Sequence, residues 1–434
     1  MARRFRAFGR LGSLVLAAVL VAASAAFAEE KAPAEKPPES NKGRKGTYQA
    51  KTSHPGYNYY VYVPASYSDE NPAGIHVFFH GQGGGGGAQW FGNWSKYFCD
   101  PYNLVGINMQ YEDGDNAKDT AGKVAAAAEA IKQVMADYKI VLGRGAVGSF
   151  SGGGLPHERI FGQFGTTRPG GPPACPFNHS AIYDSNYRDN VSNLSPMSWF
   201  VGLGSEEWDM AALGATQTGR AAELFAAAAK GGCPDVYLKI TKGKGHSIAD
   251  EDVRDSAMLF RRSDLAFAPF LYEKDYPEAA LQPIVKQASI LALGRAGAAA
   301  DKVIADVKAD DKTKAKAEAI RKKVDARIDA ILALAKGLDE TDAALLNFYA
   351  AIWVQQLAGH AKAKDLKDLV AEAKKKPTFK PALATYGQFC GSFKGFFQDK
   401  KVSPSAVKFL EDAKAKCGDK SLVGLMATEF LMLQ

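Results

Sequence analysis

Through the first half of the chain, short apolar runs alternate with longer alanine-rich stretches. Gly74-Ile-His-Val-Phe-Phe79 is six residues of mostly β-favouring character, too short for a stable helix, and reads as a buried strand. Residues 104–109, 180–183, 198–203 and 235–241 have the same texture, enriched in β-branched and aromatic side chains. Between them, residues 117–138 and 217–231 carry alanine-rich helical patterns. Strands alternating with helices predict an α/β architecture, a mostly parallel sheet with helices on both faces. From residue 155 to 179 the pattern breaks. Thr166-Thr-Arg-Pro-Gly-Gly-Pro-Pro-Ala-Cys175 is a run of turn-formers, expected to be a lid or a substrate-binding rim, with His157 an ordinary residue of that loop and a substrate contact as the second reading.

Near Pro269 the texture changes. From Tyr276 onward there is no strand signal. Residues 315–336 place Ile320, Val324, Ile328, Ile331 and Leu332 three and four apart, one amphipathic helical face. Residues 345–360 and 366–375 continue in helices, punctuated by Pro377, Pro381 and Pro404, with no clean repeat period. The pattern predicts an all-α C-terminal domain.

At the other end, Arg3, Arg4, Arg6 and Arg10 precede an apolar stretch over residues 11–25 and a small-x-small Ala26-Phe-Ala28. This predicts a secretory signal peptide cut before Glu29, with an uncleaved anchor as the second reading. Residues 29–46 are rich in Lys, Glu, Pro and Ala without apolar periodicity, as in a disordered linker. The expected organisation is therefore a signal peptide (1–28), a linker (29–46), an α/β domain (47–268) and a helical domain (269–434), in a secreted or periplasmic protein. An α/β domain of this size is expected to close its own core.

Charge narrows the partners. The formal net charge is +7, and losing the four signal arginines leaves +3. No basic block interleaved with aromatics occurs before the C-terminal half, so nucleic acid is not an expected partner. The lysine-rich helices read as solvated surface, with contact to an acidic cell envelope as the second reading. Of the five cysteines, Cys390 and Cys417 form the best candidate disulfide, and none has metal-ligand spacing.

The chemistry lies in three places. Gly148-Ser-Phe-Ser-Gly-Gly-Gly154 follows an apolar run and precedes a helix-capable segment. That is the setting of the tight strand-to-helix turn that exposes a nucleophilic serine in α/β-hydrolases. The turn needs small residues two before and two after the nucleophile. With Ser151 these are Ser149 and Gly153; with Ser149 one would be the β-branched Val147. Upstream, the strand ending at Phe79 runs into His80-Gly81-Gln82-Gly83 and four further glycines, a backbone free to aim N–H groups at a developing oxyanion. Gln82 or Gly83 would supply one donor and Gly152 the other, while His80 braces the loop. Downstream, the strand 235–241 leads to Lys242-Gly-Lys-Gly-His246, a glycine before a histidine where this fold carries its base. The orienting acid should follow the strand 198–203, as Glu207 or Asp209 in Gly204-Ser-Glu-Glu-Trp-Asp209, with Asp184 a third candidate.

With these residues in place, positions 47–268 resemble a secreted esterase of the α/β-hydrolase fold, closest to the poly(3-hydroxybutyrate) depolymerase and feruloyl-esterase-like group. The Tyr57-Asn-Tyr-Tyr-Val-Tyr-Val-Pro64 segment resembles the Tyr-rich strand that opens those domains. Gly145-Ala-Val-Gly-Ser-Phe-Ser-Gly-Gly resembles the approach to their serine. Ser149 in place of glycine, and Glu-Glu-Trp-Asp in place of a plain aspartate, depart from their pattern. The resemblance implies two antiparallel opening strands and a serine carboxylic-ester hydrolase with a small or polymeric ester substrate and no metal or organic cofactor. The competing readings are a non-catalytic binding or envelope-scaffold protein on the same fold, and a serine peptidase.

Overall fold

The structure is a computed structural model, described here for residues 41–81, 91–111, 119–164, 176–183, 198–206, 235–398 and 401–434. The expected signal peptide, most of the linker, the 165–175 loop and the 217–231 helix lie outside the described residues.

Eight strands form one sheet: β1 (Gly46–Lys51), β2 (Tyr57–Val63), β3 (Ala73–Phe79), β4 (Leu104–Tyr111), β5 (Ile140–Phe150), β6 (His179–Tyr183), β7 (Ser198–Gly204) and β8 (Val236–Thr241). Their order is β1-β2-β4-β3-β5-β6-β7-β8. The β1–β2 and β2–β4 pairs are antiparallel, and every later pair is parallel. This is the α/β-hydrolase arrangement. β3 and β7 are buried at every position, as strands covered on both faces must be.

The two faces can be read from alternate residues of β2. Tyr57 and Tyr59 reach helix α1 (Thr120–Asp137), Tyr57 donating to its N-cap Asp119 at 3.1 Å and Tyr59 to Gln133. Tyr62 points the other way and packs on Phe91. The face with α1 also carries α2 (Gly154–Phe164). The opposite face carries the short helical segments between Phe91 and Tyr102, and α3 (Asp250–Phe267), whose Phe260 packs against Phe98. The sequence reading placed His157 in a loop. It lies instead in α2, because Gly154 and Pro156 occupy the first turn, where a missing N–H costs nothing.

Among the described residues the C-terminal region is helical apart from a ribbon of two two-residue strands: α4 (Gln282–Ser289), α5 (Leu293–Ala305), α6 (Asp311–Thr341), α7 (Ala343–Gln356), α8 (Ala363–Lys375), α9 (Phe379–Ser392), α10 (Pro404–Cys417) and α11 (Leu422–Leu431). Ile320, Val324, Ile328 and Ile331 are fully buried along one face of α6. Among the described residues no helix is long and apolar enough to cross a membrane.

Polar contacts tie these helices to the sheet. The guanidinium of Arg262 in α3 grips Asp235, just before β8, at 2.7 and 2.5 Å, and Tyr349 of α7 donates to the same carboxylate at 2.7 Å. At the end of α3 the Asp264 carbonyl accepts from the N–H of the C-cap Ala268, and the carbonyls beyond it lie past the reach of the helix's own N–H groups. Arg327 of α6 donates to those of Asp264, Leu265 and Ala268, and Gln356 of α7 to that of Ala266. Glu429 of α11 accepts from the Tyr237 hydroxyl at 2.6 Å and from the Ile240 N–H at 3.2 Å, covering the outer edge of β8.

The expected Cys390–Cys417 disulfide does not form; both cysteines are free thiols, as is Cys99. α9 and α10 are consecutive packed helices, and Cys417 reaches the carbonyl of Ala382, not Cys390. Cys390 lies eight residues beyond Ala382 in the same helix, about 12 Å along its axis. Spacing in sequence gave no information on that register.

Candidate active site

β5 carries the chain to Phe150, and Ser151 breaks the strand with φ of +50°. A left-handed conformation in a non-glycine residue is strained and must be imposed by its surroundings. A 3₁₀ turn (Ser151–Gly153) follows and runs directly into α2, so Ser151 sits at a sharp strand-to-helix corner, partly exposed. The need for small neighbours is visible. A Cβ on Gly153 would stand 2.2 Å from the Phe79 carbonyl oxygen. Ser149, two residues earlier, is fully buried, and its hydroxyl lies 2.8 Å from Nδ1 of His157. Nε2 of His157 lies 2.9 Å from the Ser180 hydroxyl. Burial pushes the His157 pKa down to about 3, so the ring is neutral and bridges two serines with its two nitrogens. The serine that replaces glycine in the motif thus ties the end of β5 to the helix after the turn.

The exit of β3 meets this corner. A Cβ on Gly81 would lie 2.8 Å from the Ser151 Cβ and 3.3 Å from its Oγ, so the bare Gly81 backbone is what the nucleophile faces there. Gly152 occupies the second position of the turn. Gln82 and Gly83, the other expected oxyanion donors, lie outside the described residues.

His246 sits on the exposed loop after β8, its ring against that of Phe150 with centroids 4.5 Å apart. The loop is held from several sides. Gly204 at the end of β7 admits it so closely that a Cβ would stand 2.1 Å from the Lys244 carbonyl. Ser205 N–H donates to Thr241, Glu206 N–H to Lys244, and Gly243 N–H to the Ser205 hydroxyl. The Lys244 ammonium pairs at 2.6 Å with Asp252, a buried carboxylate that also accepts from Ala249 N–H at the start of α3.

The three acid candidates, Glu207, Asp209 and Asp184, lie outside the described residues. A carboxylate that the sequence reading passed over, in the turn after β7, does lie against this loop. Oε2 of Glu206 is 3.6 Å from where a Gly245 Cβ would be, one residue from His246. Its signal in sequence is its place directly after Gly204-Ser205. Among the described residues no three His, Cys, Asp or Glu side chains group in a way that could hold a metal ion.

No protein-family model matches this sequence, and no curated protein does so. Solved structures similar to it include a thermostable esterase, at 16% identity and a TM-score of 0.35, over 46% of this chain and 54% of that one. Thermogutta terrifontis esterase 2 phosphorylated by paraoxon is similar at 16% identity and a TM-score of 0.37, over 54% and 97% of the two chains. An acetyl xylan esterase from Aspergillus awamori is similar at 13% identity and a TM-score of 0.38, over 49% and 99%. The chain thus spans about half the length of the first of these.

Proposed function

We propose that the chain is an exported serine hydrolase that cleaves carboxylic esters through an acyl-enzyme, of the poly(3-hydroxybutyrate) depolymerase or feruloyl-esterase-like kind. Ser151 Oγ attacks the ester carbonyl while the His246 imidazole takes its proton. The tetrahedral oxyanion is held by the Gly152 N–H and by one from Gln82 or Gly83. Collapse expels the alkoxide, which leaves as the alcohol with the proton from His246. Water then attacks the acyl-enzyme by the same route, giving the acid and free Ser151. Glu207 or Asp209, in the turn after β7, orients the imidazole and stabilises its protonated form, with Asp184 and Glu206 the other carboxylates to test. Side chains, backbone and the attacking water supply every proton and electron pair in this sequence, so it requires no cofactor.

The observation that carries the reading is the corner at Ser151. Its φ of +50°, the Gly81 backbone against its Oγ, and His246 on the neighbouring Phe150 bring three sequence-distant motifs to one point. The test is a fluorophosphonate probe read by intact mass, together with turnover of p-nitrophenyl butyrate. A single adduct that disappears in Ser151→Ala, with ester turnover lost in parallel, is expected. A protein that takes no adduct would favour a binding role on this fold, and faster cleavage of peptide p-nitroanilides than of esters would favour a peptidase.

A further inference from the structure

β4 ends on Tyr111, and this one residue holds His80 at two points. The Tyr111 hydroxyl donates to the main-chain carbonyl of His80. Its ring lies flat against the His80 imidazole, with centroids 4.0 Å apart and planes 15° apart. Nδ1 of His80 lies 2.7 Å from the Gly81 carbonyl, which can only accept, so Nδ1 carries the proton. The same His80 carbonyl lies 2.8 Å from where a Gly153 Cβ would stand, and the Gly81 backbone is the surface against Ser151 Oγ. Behind the phenol, the Lys123 ammonium sits 3.9 Å from the ring centroid. All three side chains are buried, with Lys123 and His80 each 2% exposed and Tyr111 4%. A cation over one face of a phenol draws on its electron density and strengthens its O–H as a donor.

A phenylalanine would fill the same space and keep both stacking contacts. The hydroxyl is therefore not demanded by packing; its acceptor is the backbone that enters the nucleophile's surroundings. We propose that Tyr111 is a positioning residue for the ester hydrolysis, its hydroxyl setting the His80–Gly81 backbone against Ser151 so that the oxyanion-binding peptide is in place before reaction. The inference rests on Ser151 being the nucleophile. It concerns a residue 31 positions from the backbone that it holds.

The test uses the full-length protein with Tyr111→Phe. With p-nitrophenyl butyrate, kcat should fall about tenfold with KM unchanged, because a small displacement of transition-state donors costs rate and not ground-state binding. The second-order rate of fluorophosphonate labelling should fall by a similar factor. The thermal midpoint should fall by roughly a few degrees, because the buried His80 carbonyl loses its donor, with the variant still fully folded at the assay temperature. The acid limb of the pH–rate profile should stay where it is, since the proposed base is not altered. Tyr111→Leu, which also removes the ring stack, should lose more activity. A Tyr111→Phe protein with wild-type kcat and labelling rate overturns the proposal. So does a loss of rate matched by a loss of folded protein in that variant. If the wild-type protein neither turns over the ester nor takes the probe, the esterase reading falls, and the role of Tyr111 falls with it.

Discussion

The imidazole of His246 lies on the ring of Phe150, centroids 4.5 Å apart and planes inclined by 31°. Phe150 is the last residue of β5, and Ser151 follows it. The side chain before the nucleophile is thus a platform for the proposed base, which sits at an exposed position of its loop. Phe150→Ala should lower kcat for p-nitrophenyl butyrate about tenfold by widening the range of imidazole positions. Phe150→Tyr, which keeps the platform, should lose little. Equal kinetics in all three proteins would remove Phe150 from the mechanism.

The two serines of the motif should separate by kind of effect. Ser151→Ala is expected to abolish probe labelling and leave the melt unchanged. Ser149→Ala deprives buried His157 of a hydrogen bond and should cost about 1–2 kcal/mol of stability, with labelling retained. Thermal melts and intact mass on both variants decide this. An adduct that persists in Ser151→Ala would place the nucleophile elsewhere.

The corner at Ser151 was legible in the sequence because its cause is steric. Only small residues fit at 149 and 153, and that filter acts on neighbours in the chain. β3, β5, β7 and β8 were legible as apolar runs because covered strands have no polar face. The placement of His157 failed because the broken pattern over residues 155–179 reads as one loop with the turn-formers of 166–175, whereas the first turn of a helix tolerates Gly154 and Pro156. Tyr111 on His80, Glu206 beside Gly245 and Glu429 on β8 join positions far apart in sequence, so no local pattern signals them. The Cys390–Cys417 reading failed for the same reason, since the register of two helices is set by packing.

One carboxylate should dominate activity among Glu206, Glu207, Asp209 and Asp184. Replacing an orienting acid by its amide costs about 10⁴ in kcat in the serine-protease template while geometry is kept, whereas a loop carboxylate costs far less. Four single amide variants with matched melts identify it. Uniformly mild losses would argue against a working triad.

Glu429 makes stability depend on pH. Burial raises its pKa from an ordinary 4.5 to about 7, against the lowering effect of its bonds from Tyr237 and Ile240 and of nearby Lys239. The folded chain therefore binds this proton more tightly than the unfolded chain does. The resulting stabilisation is fully present below about pH 4.5 and is lost as pH rises through about 7. Glu429→Gln, neutral throughout, should flatten the fall in thermal midpoint between pH 5 and 8. Identical slopes in the two proteins would show that Glu429 is not the group responsible.

Composition suggested that residues 47–268 close a core of their own, but the buried partners across that boundary predict otherwise. A chain ending at Pro269 would strip Tyr349 from Asp235, leaving the Arg262–Asp235 pair without its third partner. It would strip Arg327 and Gln356 from the carbonyls of Leu265, Ala266 and Ala268 at the end of α3, leaving them to solvent. It would also uncover the outer edge of β8, where Glu429 meets the Ile240 N–H. That edge is a ready template for pairing with another chain, and the loop carrying His246 begins two residues beyond Ile240, where the strand ends at Thr241. Truncation is therefore expected to give aggregated protein, or soluble protein whose Ser151 takes the probe far more slowly than in the full chain. Supplying residues 270–434 as a separate chain during refolding should restore labelling, since every lost partner lies within it. A soluble truncated chain labelled at the full-length rate would show that the sheet and its catalytic loops stand without the helices.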